Sequence, residues 1–380
     1  MKKKYIIFSI VTLVLLVALI TSFNYFKTTN TYIDDSFNNQ TKITKGISMN
    51  LEQTAGAGDY KTVTRSSWPT ERYNFNAELS RCENGSTLSW DDTKKAVIVS
   101  GNLSDKCYVY FDLARFDETC DGSTLACRIA KQYTGTQGEN SLYYHDSTLT
   151  NGAGDNSYRY AGASNNVNNY ICLGSDATTC PDANLFRIIG VFGDQTKVIR
   201  AKSVGDKEWD TNDSNTWSTS SLNTYLNGEY LTSLGTLADK IATTTWKVGG
   251  GSTTYLYDVP KTAYQYEVGS SASTTTYDAK IGLMYVSDYG FAADQSGWTT
   301  KLSSYNSNKS KNWLNTGKYI EWTLSRNSDN TDNAFGVIST GYVDNYNVTK
   351  SYVVRPSFNL ESSVKYVSGS GSMSGPVRVN

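Results

Sequence analysis

The stretch Leu185–Val204, "LFRIIGVFGDQTKVIRAKSV", decides how the C-terminal part of this chain is read. Two runs rich in β-branched and aromatic residues, Leu185–Gly193 and Thr196–Val204, flank Gly193-Asp194-Gln195. That spacing predicts a β-hairpin. C-terminal to it, further strands are expected at Lys280–Gly290 ("KIGLMYVSDYG"), Glu321–Arg326, Ala334–Thr340 and Gly341–Leu360 ("GYVDNYNVTKSYVVRPSFNL"). Helical signals fall before these. Leu222, Tyr225 and Leu226 follow a serine run able to cap, with Gly228 as a stop. Leu231, Leu234, Leu237, Ala238 and Ile241 then share one helical face. The reading is an α+β domain over residues 120–380, its helices early and its sheets late.

N-terminal to this domain, "YNFNAEL" (73–79), "AVIV" (96–99) and "CYVYFDL" (107–113) are short β-rich runs separated by Asn84-Gly85 and Ser100-Gly101. They predict a small β-sandwich module over 71–115. Residues 24–70 are polar, without clear periodicity, and read as a stalk or linker. Lys2-Lys3-Lys4, in the basic tip 1–4, precede an apolar run, Tyr5–Phe23, whose 19 residues approach the span of a bilayer. The lysines favour a cytoplasmic N-terminus and a membrane-anchoring helix, with a cleaved signal peptide as the alternative.

Six cysteines group in sequence as Cys82 with Cys107, Cys120 with Cys127, and Cys172 with Cys180. Three short-loop disulfides are expected, and they fit an oxidising, extracytoplasmic compartment. Zinc is disfavoured: no C-x-x-C occurs and the single histidine is His145. Lys+Arg 35 against Asp+Glu 36 gives a formal charge of −1, so composition offers no case for nucleic acid.

Catalytic motifs are missing. One histidine in the loop-like "YYHDST" carries no triad, and His145 reads as a surface residue. No nucleophile-elbow, zinc-protease or phosphate-loop motif is present. Paired carboxylates of a glycan-acting hydrolase would be spaced in three dimensions, so sequence leaves that alternative open. "WDTNDSNTW" (209–217) offers Asp210, Asn212, Asp213 and Asn215 as calcium oxygens but lacks the EF-hand glycine and distal glutamate. Asx-decorated turn chemistry is the plainer reading, and no cofactor is expected.

In order and spacing, "FRIIGVFGDQTKVIRAKSV", "WSTSSLNTYLN", "KIGLMYVSDYG", "EWTLSR", "AFGVISTGYV" and "VVRPSFNL" resemble a family of bacterial exported domains of uncharacterised role, over roughly 169–380. That family is distantly similar to the C-type-lectin-like fold, in the branch shared with formylglycine-generating enzymes and diversity-generating-retroelement variable proteins. The resemblance implies a C-type-lectin-like scaffold whose last strands display ligand-contacting side chains. It does not imply the enzyme activity, because no cysteine follows Cys180. Nor does it imply calcium-dependent sugar binding, since E-P-N, Q-P-D and W-N-D are all absent.

The expectation is a membrane-anchored, extracytoplasmic, adhesin-like binding protein for a protein or glycan ligand. Tyr342, Asp344, Asn345, Tyr346, Asn347 and Tyr352 would form its recognition face, because Tyr offers contact area with few rotatable bonds and Asn adapts. Trp322 (core), Arg355 (pairing with a buried acceptor) and Pro356 are expected to be structural. A structural envelope or pilus component is a further alternative.

Overall fold

Leu185–Phe192 pairs antiparallel with Gln195–Arg200 through a two-residue turn, Gly193-Asp194, one residue tighter than the sequence suggested. Gly193 takes φ 63°, a conformation that favours glycine. Leu185 to Val191 are buried without alternation, because this strand is covered on both faces. The computed structural model describes residues 30–33, 46–53, 55–63, 72–102, 105–317 and 319–380. They fall into two units, Met1–Arg115 and Phe116–Asn380.

In the larger unit the hairpin sits within a nine-stranded sheet. Ser357–Leu360 pairs with Gln195–Arg200 on one side, and Ile281–Gly282 lies beyond it. The other edge of Leu185–Phe192 is shared by two strands. Tyr170–Cys172 pairs with its first half and Ser157–Tyr160 with its second. The changeover coincides with a register shift between Ile188 and Gly190. Asn169 bridges the gap, donating from Nδ2 to the Ile188 carbonyl at 2.7 Å. Leu142–His145 extends the second edge, and Val377–Val379 runs parallel to Tyr170–Cys172.

A five-stranded sheet follows the order Asp206–Glu208, Ser351–Val353, Ile320–Arg326, Asn333–Ile338, Val343–Asn347. The helices are short. Ser221–Tyr225 is capped by Ser220 Oγ, which accepts from Asn223 N–H, and passes into a π turn at Leu226–Tyr230. Beyond Leu234 the expected second helix becomes a 3-10 run, Gly235–Lys240. Most of "KIGLMYVSDYG" is not a strand: only Ile281–Gly282 pairs, and Val286–Phe291 is a buried helix. Its capping box supplies the reason, with Asp288 accepting from the Tyr285 N–H.

In the smaller unit, Ile47–Glu52 pairs parallel with Cys107–Leu113 and antiparallel with Tyr60–Val63. Thr87–Asp91, Ala96–Ser100 and Asn30–Ile33 make a second sheet. Leu51, Val97, Val99, Val109 and Phe111 form one core between them. Residues 47–52 and 60–63, expected in a stalk, are therefore sheet. The alternation Ile47, Met49, Leu51 is satisfied by a near partner, Tyr60–Val63, and by one distant in sequence, Cys107–Leu113.

All three expected disulfides form, Cys82–Cys107, Cys120–Cys127 and Cys172–Cys180. They indicate an oxidising, extracytoplasmic environment.

The expected fold class requires correction. The chain is mostly sheet with few, short helices, a mixed α+β architecture in which strands and helices interleave from Leu142 onward. The C-type-lectin-like scaffold, with helices early and sheets late, is not what these residues build. Among the described residues no helix is long and apolar enough to cross a membrane. The stretch 5–23, read as a transmembrane helix, lies outside the described residues.

Candidate functional site

Of the sequence-predicted residues, Asp344, Asn345, Tyr346 and Asn347 share the edge strand of the five-stranded sheet, Tyr342 immediately precedes it, and Tyr352 reaches Tyr346 from a strand elsewhere in the same sheet. Val343–Asn347 is its last strand, paired with Asn333–Ile338. Tyr346 lies edge-on to Tyr352, with ring centroids 5.3 Å apart, and Tyr352 lies against Trp322 at 5.0 Å. Gly336, opposite Asp344, is required by the strand on its other side, since a Cβ there would stand 2.8 Å from Ile320 Cγ2 and 3.1 Å from the Glu321 carbonyl oxygen. The tyrosines are half-buried while Trp322 is fully buried, its Nε1–H donating to the Lys207 carbonyl at 3.0 Å. Lys207 Nζ sits 3.7 Å from the Tyr225 ring centroid, continuing the row.

The polar residues between the tyrosines are used internally. Tyr257 Oη–H donates to Asp344 Oδ1, and Asn345 Nδ2 donates back to Tyr257 Oη at 2.6 Å. Burial, and then the Asp344 carboxylate, push the Tyr257 hydroxyl up to about 12. Asn333 Nδ2 donates to Asn345 Oδ1, and Asn347 Nδ2 to Asp213 Oδ1, both at 2.7 Å. In the 209–217 loop, Asp210 accepts from the backbone of Ser214 and Ser221, while Asn215 Nδ2 donates to the carbonyls of Asn327, Asn330 and Asn333. Those side chains organise backbone. Among the described residues no cluster of His, Cys, Asp or Glu has a metal-holding arrangement.

Arg355 is buried, its Nε donating to Glu321 at 2.7 Å and Nη2 to the Leu314 carbonyl at 2.8 Å. Pro356, buried beside it, accepts from the Arg200 N–H. His145 departs from expectation: it is fully buried. It occupies the strand Leu142–His145, its Nδ1 accepts from Ala153 N–H at 3.0 Å, and its ring packs on Phe291 and Trp298. Burial pulls its pKa down to about 3, so the imidazole is neutral at physiological pH.

A second constellation was not foreseen. Across four neighbouring strands the register sets Arg159, Gly190, Lys197 and Asn359 in one row, and three of them line a cleft of about 320 Å³. Arg159 Nη2 donates to Asp155 at 2.5 Å, and Lys197 Nζ to Asp288 at 2.5 Å. Burial opposes the charge on Asp155, but Arg159 outweighs it and keeps the carboxyl below its usual range. Beneath the cleft, Glu267 accepts from the N–H groups of Val286 and Ser287 and from Ser325 Oγ. Burial nevertheless pushes it up to about 7. The carboxylates lining the cleft are tied to cations, and an ionised, paired carboxylate is poorly suited to donate a proton. Charged residues inside apolar runs, Arg159 in "SYRY" and Lys197 in "TKVIR", were the available signal.

A family model described as "Domain of unknown function (DUF6273)" matches residues 193–362. That span holds the tyrosine row together with Lys197, Asp288 and Asn359, but not Arg159. No curated protein and no solved structure matches the chain.

Proposed function

We propose that the chain is an extracytoplasmic, adhesin-like binding protein that recognises a protein or glycan through the tyrosine row of its five-stranded sheet. The observation that carries this reading is the row itself. Tyr346 packs edge-to-face on Tyr352, Tyr352 lies tilted against the buried Trp322, and both tyrosines stay half-buried. Asp344, Asn345 and Asn347 hold the strand with hydrogen bonds among themselves and their neighbours. A rigid aromatic surface loses little conformational entropy when a ligand covers it. The disulfides support export, and the lysine-flanked apolar stretch 5–23 supports it from the sequence.

The test is simultaneous substitution of Tyr342, Tyr346 and Tyr352 by alanine, with binding to cells and to immobilised glycoproteins as the readout. A folded triple variant should lose binding. Retention of wild-type binding would show that recognition lies elsewhere.

A further inference from the structure

The cleft on the nine-stranded sheet is separate from the tyrosine row, and its hydrogen-bonding groups are not balanced. Lys197, buried, carries three N–H bonds, and Asp288 is its one hydrogen-bond acceptor among the described residues. Arg159, equally buried, donates Nε to Ser157 Oγ and Nη2 to Asp155. Its Nη1 stands 3.6 Å from Asp288, beyond hydrogen-bond reach. Asn359 Oδ1 is buried with no donor among the described residues, although its Nδ2 donates to Thr244 Oγ1 at 3.0 Å.

The carboxylates are more fully used, Asp288 Oδ1 excepted, which has Arg159 Nη1 at 3.6 Å. Asp155 Oδ1 accepts from the N–H and hydroxyl of Ser157, and its Oδ2 accepts from Arg159. Asp288 Oδ2 accepts from both Lys197 and the Tyr285 N–H. The spare capacity is thus mostly cationic donor, with one amide acceptor beside it. Asn359 Oδ1 is the cleft's buried atom left without a partner among the described residues, and the unused N–H groups of Lys197 and Arg159 beside it suit an incoming acceptor.

Three features narrow the class. Arg159 and Lys197 face Asp155 and Asp288, and Lys247 at the lining adds one further cation. One negative charge is matched there, whereas a dianion would meet both carboxylates. Gly190, between the two cations in the row, adds no side chain there, because the strands approach too closely for one: a Cβ would stand 2.2 Å from the Tyr158 carbonyl oxygen. The walls are aromatic: Phe192 lies 4.6 Å from the Arg159 guanidinium, and Tyr285 4.6 Å from Lys197 Nζ. Ring faces of this kind accept the C–H surface of a compact ligand.

We propose that this cleft binds a small hydroxylated carboxylate, of the size of an acidic monosaccharide. The carboxylate would accept from Arg159 Nη1 and Lys197 Nζ, and a hydroxyl would donate to Asn359 Oδ1.

The experiment is calorimetric titration of the whole exported chain at pH 7 with sodium D-glucuronate, D-glucose and inorganic phosphate. Glucuronate should bind saturably and at least about tenfold more tightly than either of the others. Lys197→Gln should weaken glucuronate about tenfold or more, and Asn359→Ala should weaken it by a smaller factor. Near-UV circular dichroism checks that each variant is folded. If Lys197→Gln does not fold, the wild-type titration and Asn359→Ala decide. No binding of glucuronate by the wild type, equal binding of glucose or phosphate, or unchanged affinity in a folded variant would overturn the proposal.

Discussion

The tyrosine row and the charged cleft solve opposite problems with similar residues. In the row, polar side chains satisfy one another: Asp344 and Asn345 both meet the Tyr257 hydroxyl, and Asn333 and Asp213 meet Asn345 and Asn347. What remains available is ring surface. In the cleft the rings also hold the cations, and what sets it apart is hydrogen-bonding capacity left on Arg159, Lys197 and Asn359. The lesson is that residue type does not say what a surface offers. The offer is whatever the fold leaves unused.

Three experiments press on this contrast. The largest effect is expected from Arg159→Met, which strands Asp155 without its guanidinium partner and leaves Asp288 paired with Lys197. Removing one partner of a buried ion pair typically costs about 3–5 kcal/mol. A urea midpoint no lower than wild type would mean that the cleft charges are not coupled in the folded state.

Next is Glu267. Its folded pKa, about 7, lies above the ordinary value of 4.5. The native state therefore holds the proton over a pH range where the unfolded chain has released it. The stabilisation is complete below about pH 4.5 and is lost as pH rises through 7, a difference of about 3 kcal/mol. Stability measured by denaturant titration between pH 4.5 and 7 should fall in the wild type, and Glu267→Gln should flatten that slope. An equal slope in the variant would locate the titration elsewhere.

The smallest effect belongs to the row. Tyr257→Phe removes a hydroxyl that meets Asp344 and Asn345, both only half-buried, and should cost about 1 kcal/mol. A loss as large as that of Arg159→Met would place the row's hydrogen bonds among the determinants of the fold.

Legibility in the sequence followed distance along the chain. The Leu185–Arg200 hairpin could be read because its β-branched runs and its Gly193 turn are adjacent. The disulfides could be read because each closes onto a neighbour. The helix at Val286–Phe291 was hidden because its cap, Tyr285 with Asp288, lies inside an apolar run that also suits a strand. The strand Ile47–Glu52 was missed because it lies in a polar stretch: its near partner Tyr60–Val63 is short and partly exposed, and its longer partner Cys107–Leu113 lies far along the chain. His145 was misplaced because neighbouring polar residues suggested a loop, whereas Tyr144 and Leu142 carry its strand into the core. The cleft was the least legible part. Arg159, Lys197 and Asn359 become neighbours only through register, and the shift between Ile188 and Gly190 helps set that register. No local pattern announces it.

The same register has a consequence for the order in which the protein acquires its parts. Lys197 pairs with Gly190 within one hairpin, so this pair can form as soon as that hairpin closes. Asn359 joins the row only when Ser357–Leu360 docks beside Gln195–Arg200, after the whole five-stranded sheet has been threaded between them. Such long-range pairing is slow to form. A chain delivered from its N-terminus would carry two buried cations with an unfinished wall until that strand arrived. Cleft and tyrosine row would then reach their final form together, at the last stage of folding.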